Sequence, residues 1–174
     1  MIHNEPARFP DSPLAASPQQ FRDAMCRVAS AVHVLTSDGP AGRCGMTATA
    51  VLSVSDAPPT VLVSVNRGSV SAQRLIANEV FCVNTLGAAD RSIAEVFAGR
   101  TAHERDARFT AGEWGELATR APVLSSARVA LDCRLVATLS AATHELLVGE
   151  VVALRCAAPD DEALVYLQRE FRAV

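Results

Sequence analysis

The stretch RVALDCRLVATLSAATHELLVGEVVALRC, residues 128–156, decides how this chain folds. From Arg128 to Leu139 it alternates. Val129, Leu131, Cys133, Leu135 and Leu139 fall on one side, and Arg128, Asp132, Arg134 and Thr138 on the other. A period of two is the mark of a half-buried strand. Leu146 to Cys156 reads as a second strand, reached through the short connection 140–145. Strands joined so tightly pair antiparallel, because a parallel crossover needs a dozen or more residues. Working outward, further β-rich runs each stop at a turn signal. Val32–Thr36 ends at Asp38-Gly39-Pro40, Met46–Ser55 at Asp56-Ala57-Pro58-Pro59, and Thr60–Val65 at Asn66-Arg67-Gly68. Val80–Leu86 is another strand, and Leu164–Leu167 adds a short one.

Three helices fit around these strands. Phe21, Met25, Val28, Ala29 and Val32 recur at spacings of three and four, which predicts one amphipathic helix opening at Ser17 or Pro18. Ser69–Asn78 and Ala89–Ala98 read as short helices between strands. The segment 99–121, with the single Trp114, reads as an excursion over the barrel. Six or seven closely spaced strands with few helices predict a mainly β fold, a closed or nearly closed antiparallel barrel. A doubly wound parallel sheet is excluded, since it needs a helix between most strands. Neither GxGxxG nor GxxxxGK[ST] occurs, so a nucleotide is not held in the Rossmann or P-loop manner.

With 174 residues, 49% of them hydrophobic and 20% charged, the chain suits one compact domain. The expected division is a flexible, Pro-rich arm over 1–17 and a barrel domain over 18–174. A net charge of −3 gives no general attraction to nucleic acid or an anionic membrane. No apolar run approaches the ~20 residues that span a bilayer, and no signal-peptide pattern opens the chain, so a cytoplasmic location is expected. Five cysteines at irregular spacing, without CxxC, read as buried free thiols rather than disulfides or a zinc site. His144-Glu145 lacks the second histidine of HExxH, because Val148 stands in that place.

Three clusters carry chemistry. Gly45, Met46, Thr47, Ala48 and Thr49 follow a Gly-rich turn, and small or hydroxylated residues there let a flat ligand lie close to the backbone. Crowding of strands in a tight barrel explains the same residues equally well. Asn66, Arg67, Ser69 and Ser71 combine a cation, an amide and hydroxyls where a strand opens a helix, a pattern suited to phosphate and also to an ordinary helix cap. His144 sits where one long β-segment turns into the next.

Together these stretches resemble the short-chain flavin reductases that serve two-component flavin monooxygenases. The resemblance rests on residues 21–25, 36–43, 45–51 and 53–56, on Asn66-Arg67-Gly68 and Cys82-Val83-Asn84-Thr85-Leu86, and on Phe97-Ala98-Gly99, Pro122-Val123-Leu124 and Thr143-His144-Glu145. It runs in order from about residue 18 to 172. It implies a split β-barrel, usually a homodimer, that binds FMN or FAD. It implies that Thr47-Ala48-Thr49 lie along the isoalloxazine with Met46 and Val65 as apolar supports. Asn66 to Ser71 would take the phosphate with Arg67 as its cation, Asn84 would belong to the same cofactor site, and His144 would approach the nicotinamide. Many relatives carry Gly-Asp-His where this chain has Ala142-Thr143-His144. The implied activity is hydride transfer from NADH, or NADPH, to flavin for an oxygenase partner. No side chain is expected to act as acid or base, because the two ligands carry the chemistry. The alternatives are a flavoprotein reducing another acceptor, such as a cobalt corrinoid, and a non-catalytic flavin-binding protein.

Overall fold

The computed structural model describes residues 16–104, 106–157 and 162–174. The expected N-terminal arm lies outside the described residues as far as residue 15. Helix α1 (Pro18–Met25) leads into β1 (Ser30–Ala31), β2 (His33–Ser37), β3 (Cys44–Ala48), β4 (Val51–Asp56) and β5 (Pro59–Asn66). Helix α2 (Val70–Asn78), β6 (Val80–Thr85) and α3 (Arg91–Phe97) follow. Then come β7 (Trp114–Gly115), β8 (Val123–Leu124), β9 (Val129–Ala141), β10 (His144–Cys156), β11 (Leu164–Leu167) and β12 (Glu170–Ala173).

Seven strands form one antiparallel sheet in the order β3-β2-β6-β9-β10-β5-β4. Its two edges, β3 and β4, are consecutive in the chain and joined only by Thr49-Ala50. The run 46–55, expected as one strand, is therefore two. A straight strand could not pair with β2 at one edge of the sheet and with β5 at the other. The sheet curls into a barrel whose edges are linked covalently yet not zipped by a ladder, which leaves an open seam. β1, β11 and β12 make a second small sheet, and β7 pairs with β8.

Among the described residues, two large packed clusters and a smaller one around Cys82, Ala121, Val123 and Ala130 hold this arrangement. Leu35, Val63, Phe81, Val83, Cys133 and Leu147 fill the barrel. Val32, Val34, Leu86, Ile93, Phe97, Leu124, Leu164 and Phe171 pack outside it, beneath α3 and the small sheet. Burial pushes the thiols of Cys44 and Cys133 up to about 11 and about 12, so both stay protonated, inert parts of the core. His33, 8% exposed, hydrogen-bonds Thr85 through Nδ1 at 3.0 Å, and burial pushes its pKa down to about 4. It is a neutral core histidine.

Three local expectations change. Helix α1 ends at Met25 rather than running on to Val32, because Ser30 and Ala31 pair with Tyr166 and Val165 of β11. Long-range pairing overrides the helical period there. Leu139 faces outward, unlike Leu135, because a register shift against Val148 and Gly149 leaves Val136 as an extra residue in β9 and reverses the alternation. Asp132, expected on the polar face, is fully buried, because the segment around Thr119 covers that face and donates both its backbone N–H (2.8 Å) and its hydroxyl to the carboxylate.

Candidate functional site

A cleft of about 370 Å³ opens along the seam. One wall is Met46 to Ala50, the exit of β3, and the other is Ser64, Val65 and Asn66 at the end of β5. His144 lies beside Asn66 because the two are register partners across β10 and β5. Ala98, Arg100, Tyr166 and Phe171 close the remaining side. Because β3 is an edge strand, backbone groups on its open side have no strand partner, although Gly45 C=O is taken by the Ser71 hydroxyl. Small side chains, apolar walls and a free strand edge fit a flat heterocycle with polar atoms along one rim. The volume lies within the roughly 300–1,000 Å³ usual for small-molecule sites.

Arg100 is placed by a helix ending. The N–H of Gly99 donates to Val96 C=O and that of Arg100 to Glu95 C=O, both at 3.1 Å, with Gly99 at φ +72°. This is the pairing of a Schellman turn, which glycine adopts without steric cost. The turn carries the Arg100 guanidinium over the rings of Phe171 (5.0 Å) and Tyr166 (5.6 Å), and it donates to the Tyr166 hydroxyl at 3.1 Å. The result is an exposed cation on an aromatic platform at the lip of the cleft.

Of the residues expected at the site, the structure brings together Met46, Thr47, Ala48, Thr49, Val65, Asn66 and His144. Several of their neighbours have other partners. Gly45 lies under Phe97, where an added Cβ would come within 2.5 Å of Cε1, so it serves packing. The Thr47 hydroxyl donates to Ala94 C=O at 2.7 Å, so this hydroxyl is already engaged. The Asn66 carboxamide oxygen accepts from Gly68 N–H at 2.8 Å. Arg67 turns away to the β9–β10 connection, donating to Ala142 C=O and pairing with Glu145 at 3.4 Å. Ser69 caps α2 without a side-chain bond, and the buried Ser71 hydroxyl donates to Gly45 C=O at 3.1 Å.

Asn84 does not reach the cleft. It is fully buried, its NH₂ donating to Val34 C=O and Thr36 Oγ1 at 3.1 Å and its carbonyl accepting from Leu124 N–H at 2.8 Å. It ties β2 and β6 to β8. The sequence reading missed Arg100, Tyr166 and Phe171. A glycine just past a short apolar helix, Phe97-Ala98-Gly99, signals the turn that sets Arg100, but nothing local places the β11–β12 hairpin beside it.

An antiparallel barrel open along one seam, with a shallow heterocycle-sized cleft in the opening, is a split-barrel architecture with room for a small molecule. A family model described as flavin reductase like domain matches residues 25–174, and the chain belongs to that family. An FMN reductase (NADH), RutF, of Ancylobacter novellus is 48% identical over 160 residues, covering 92% of this chain and 87% of that protein. The crystal structure of a Haemophilus somnus protein assigned to the flavin reductases is similar at a TM-score of 0.86 and 36% identity, covering 91% of this chain and 100% of that one. BorF, the flavin reductase component of a bacterial two-component tryptophan halogenase, is similar at a TM-score of 0.83 and 28% identity, covering 91% and 98% of the two chains. Among the described residues, no helix is long and apolar enough to cross a membrane, and no cluster of His, Cys, Asp or Glu is arranged to hold a metal.

Proposed function

We propose that this chain transfers a hydride from NADH to FMN, which leaves as reduced flavin for a partner oxygenase. The observation that carries the reading is the cleft at the seam, in a chain 48% identical to a protein named as an NADH-dependent FMN reductase. The partner is supported by the likeness to BorF, itself a reductase component of a two-component system. The nicotinamide and the flavin carry the redox chemistry between them. The protein binds and orients. The backbone of Met46 to Thr49 lies along the ring, Met46 and Val65 support it from below, and His144 bounds the space for the second ligand. Arg100 supplies the cation for the flavin phosphate. Holding the two reacting atoms within ~3–3.5 Å is the main contribution, since such positioning converts an encounter into a unimolecular step.

The test is simple. Purified chain with NADH and excess FMN should consume NADH, followed at its absorbance band, for many turnovers. No turnover with NADH or NADPH across FMN, FAD and riboflavin would overturn the reading.

The working unit in this proposal is a homodimer. Outward residues of the large sheet form a continuous apolar strip, in which Leu52, Leu62, Val148 and Ala137 align across four strands and Leu146 opposes Leu139. Leu52 and Val54 are 53% and 52% exposed, unusual for large aliphatic side chains on one strand. Light scattering should return twice the 18.4 kDa chain mass, and Leu52→Glu should shift the protein toward monomer. A wild-type monomer would sink the idea.

A further inference from the structure

We propose that Arg67 and Glu145 form a latch that fixes the β9–β10 turn, and with it His144, against the end of β5. They are positioning residues that bind neither ligand. The proposal rests on reading the cleft as the flavin and nicotinamide site.

The turn 142–143 connects the two longest strands, and Ala142 holds a left-handed φ of +50° without being glycine. Such a conformation persists only where its surroundings impose it. The two-residue hairpin turn favours it, and Arg67 braces the turn from the end of the adjacent strand β5. Its backbone N–H donates to Thr143 C=O at 3.1 Å, and its guanidinium donates to Ala142 C=O. The same guanidinium pairs with Glu145 at 3.4 Å, and that carboxylate accepts from the Ser140 hydroxyl at 2.8 and 2.9 Å. The Glu145 side chain is 12% exposed and that of Arg67 49%, so the pair is shielded from water on the carboxylate side only. Residues on both sides of the turn, Ser140 and Glu145, are thus locked to the strand that carries Asn66. Between them stands His144, with Nδ1 2.9 Å from Thr143 Oγ1 and its place in the cleft set by its pairing with Asn66. If the turn swings, His144 swings with it.

This assigns Arg67 a role different from that of a phosphate cation, and the two roles predict opposite consequences. Freeing Arg67 from Glu145 would leave a phosphate cation more available, so Glu145→Gln would tighten FMN. Freeing it from a latch leaves FMN untouched and loosens the turn.

The test uses the full chain as wild type, Glu145→Gln, Arg67→Ala and the double variant. Amide hydrogen exchange across 141–145 reads the latch without any activity. Each single variant should speed exchange there, and the double variant should be no faster than the faster single, because coupled residues are non-additive. In turnover, KM for NADH should rise about 3- to 10-fold, with kcat at saturating NADH within about 2-fold, as expected for a displaced positioning element still held by one backbone hydrogen bond. Dissociation constants for FMN and riboflavin should keep their ratio. Unchanged exchange in all variants overturns the proposal. So does a selective loss of FMN over riboflavin in Arg67→Ala, or a gain of FMN affinity in Glu145→Gln. Should wild type show no turnover, the function reading fails, and the exchange measurement still decides the latch.

Discussion

Asn84→Ala is expected to destabilise the fold by about 2–4 kcal/mol, a large share of the margin a domain commonly has. The argument is a count of buried partners. Asn84 is fully enclosed and bridges β2, β6 and the start of β8 through Val34, Thr36 and Leu124. Alanine leaves the Leu124 N–H without a partner where water does not reach, which costs about 1–3 kcal/mol. It also removes the donors to the Thr36 hydroxyl and to the Val34 carbonyl, which keeps its ladder pairing with residue 84. Cavity formation adds less, since few atoms are removed. Asn84→Asp separates the two contributions. It keeps the shape but loses both donor hydrogens and buries a carboxylate, so it should be at least as damaging as alanine. Urea unfolding of the three proteins provides the measurement. An aspartate variant as stable as wild type would show that the donor bonds contribute nothing.

Arg100→Ala should weaken FMN by about 10- to 150-fold and riboflavin hardly at all. A charge-assisted hydrogen bond to phosphate contributes roughly 1.5–3 kcal/mol, which converts to that range of affinity. Riboflavin lacks the phosphate and is the internal control, because a folding defect would weaken both ligands together. Arg100→Lys should fall between the two. It keeps the charge but not the planar group that lies over Phe171 and Tyr166. Flavin fluorescence quenching on titration would supply the affinities. Equal losses of FMN and riboflavin, or none, would remove Arg100 from the phosphate site. With the Arg67 variants described above, the measurement decides which of two arginines faces the anion.

Much of the barrel was legible residue by residue. The turn signals at Asp38-Gly39-Pro40 and Asn66-Arg67-Gly68 bounded strands correctly, and Leu164–Leu167 matched in full. These are local properties: period, β-branching and turn chemistry act over a few residues, and the neighbours are enough to fix them. What failed was local pattern in competition with distant pairing. The helix period after Met25 lost to β11, and the single strand through Thr49-Ala50 broke because its halves pair at opposite edges of one sheet.

The site divides in the same way. The sequence by itself determined that a small-residue stretch after Gly42 enters a strand, seen as Cys44–Ala48, that a strand ends at Asn66, and that a turn precedes His144, because each is written in a contiguous stretch. Only the tertiary structure decided that Asn84 points into the core, that Ser71 and Gly45 serve packing, and that Arg67 bonds the hairpin while Arg100 stands at the cleft. An arginine's reach is set by its stem, but its partner is set by whichever acceptors folding brings within that reach. Those acceptors, Ala142 and Glu145 for one and the Tyr166 hydroxyl for the other, lie more than sixty residues away along the chain.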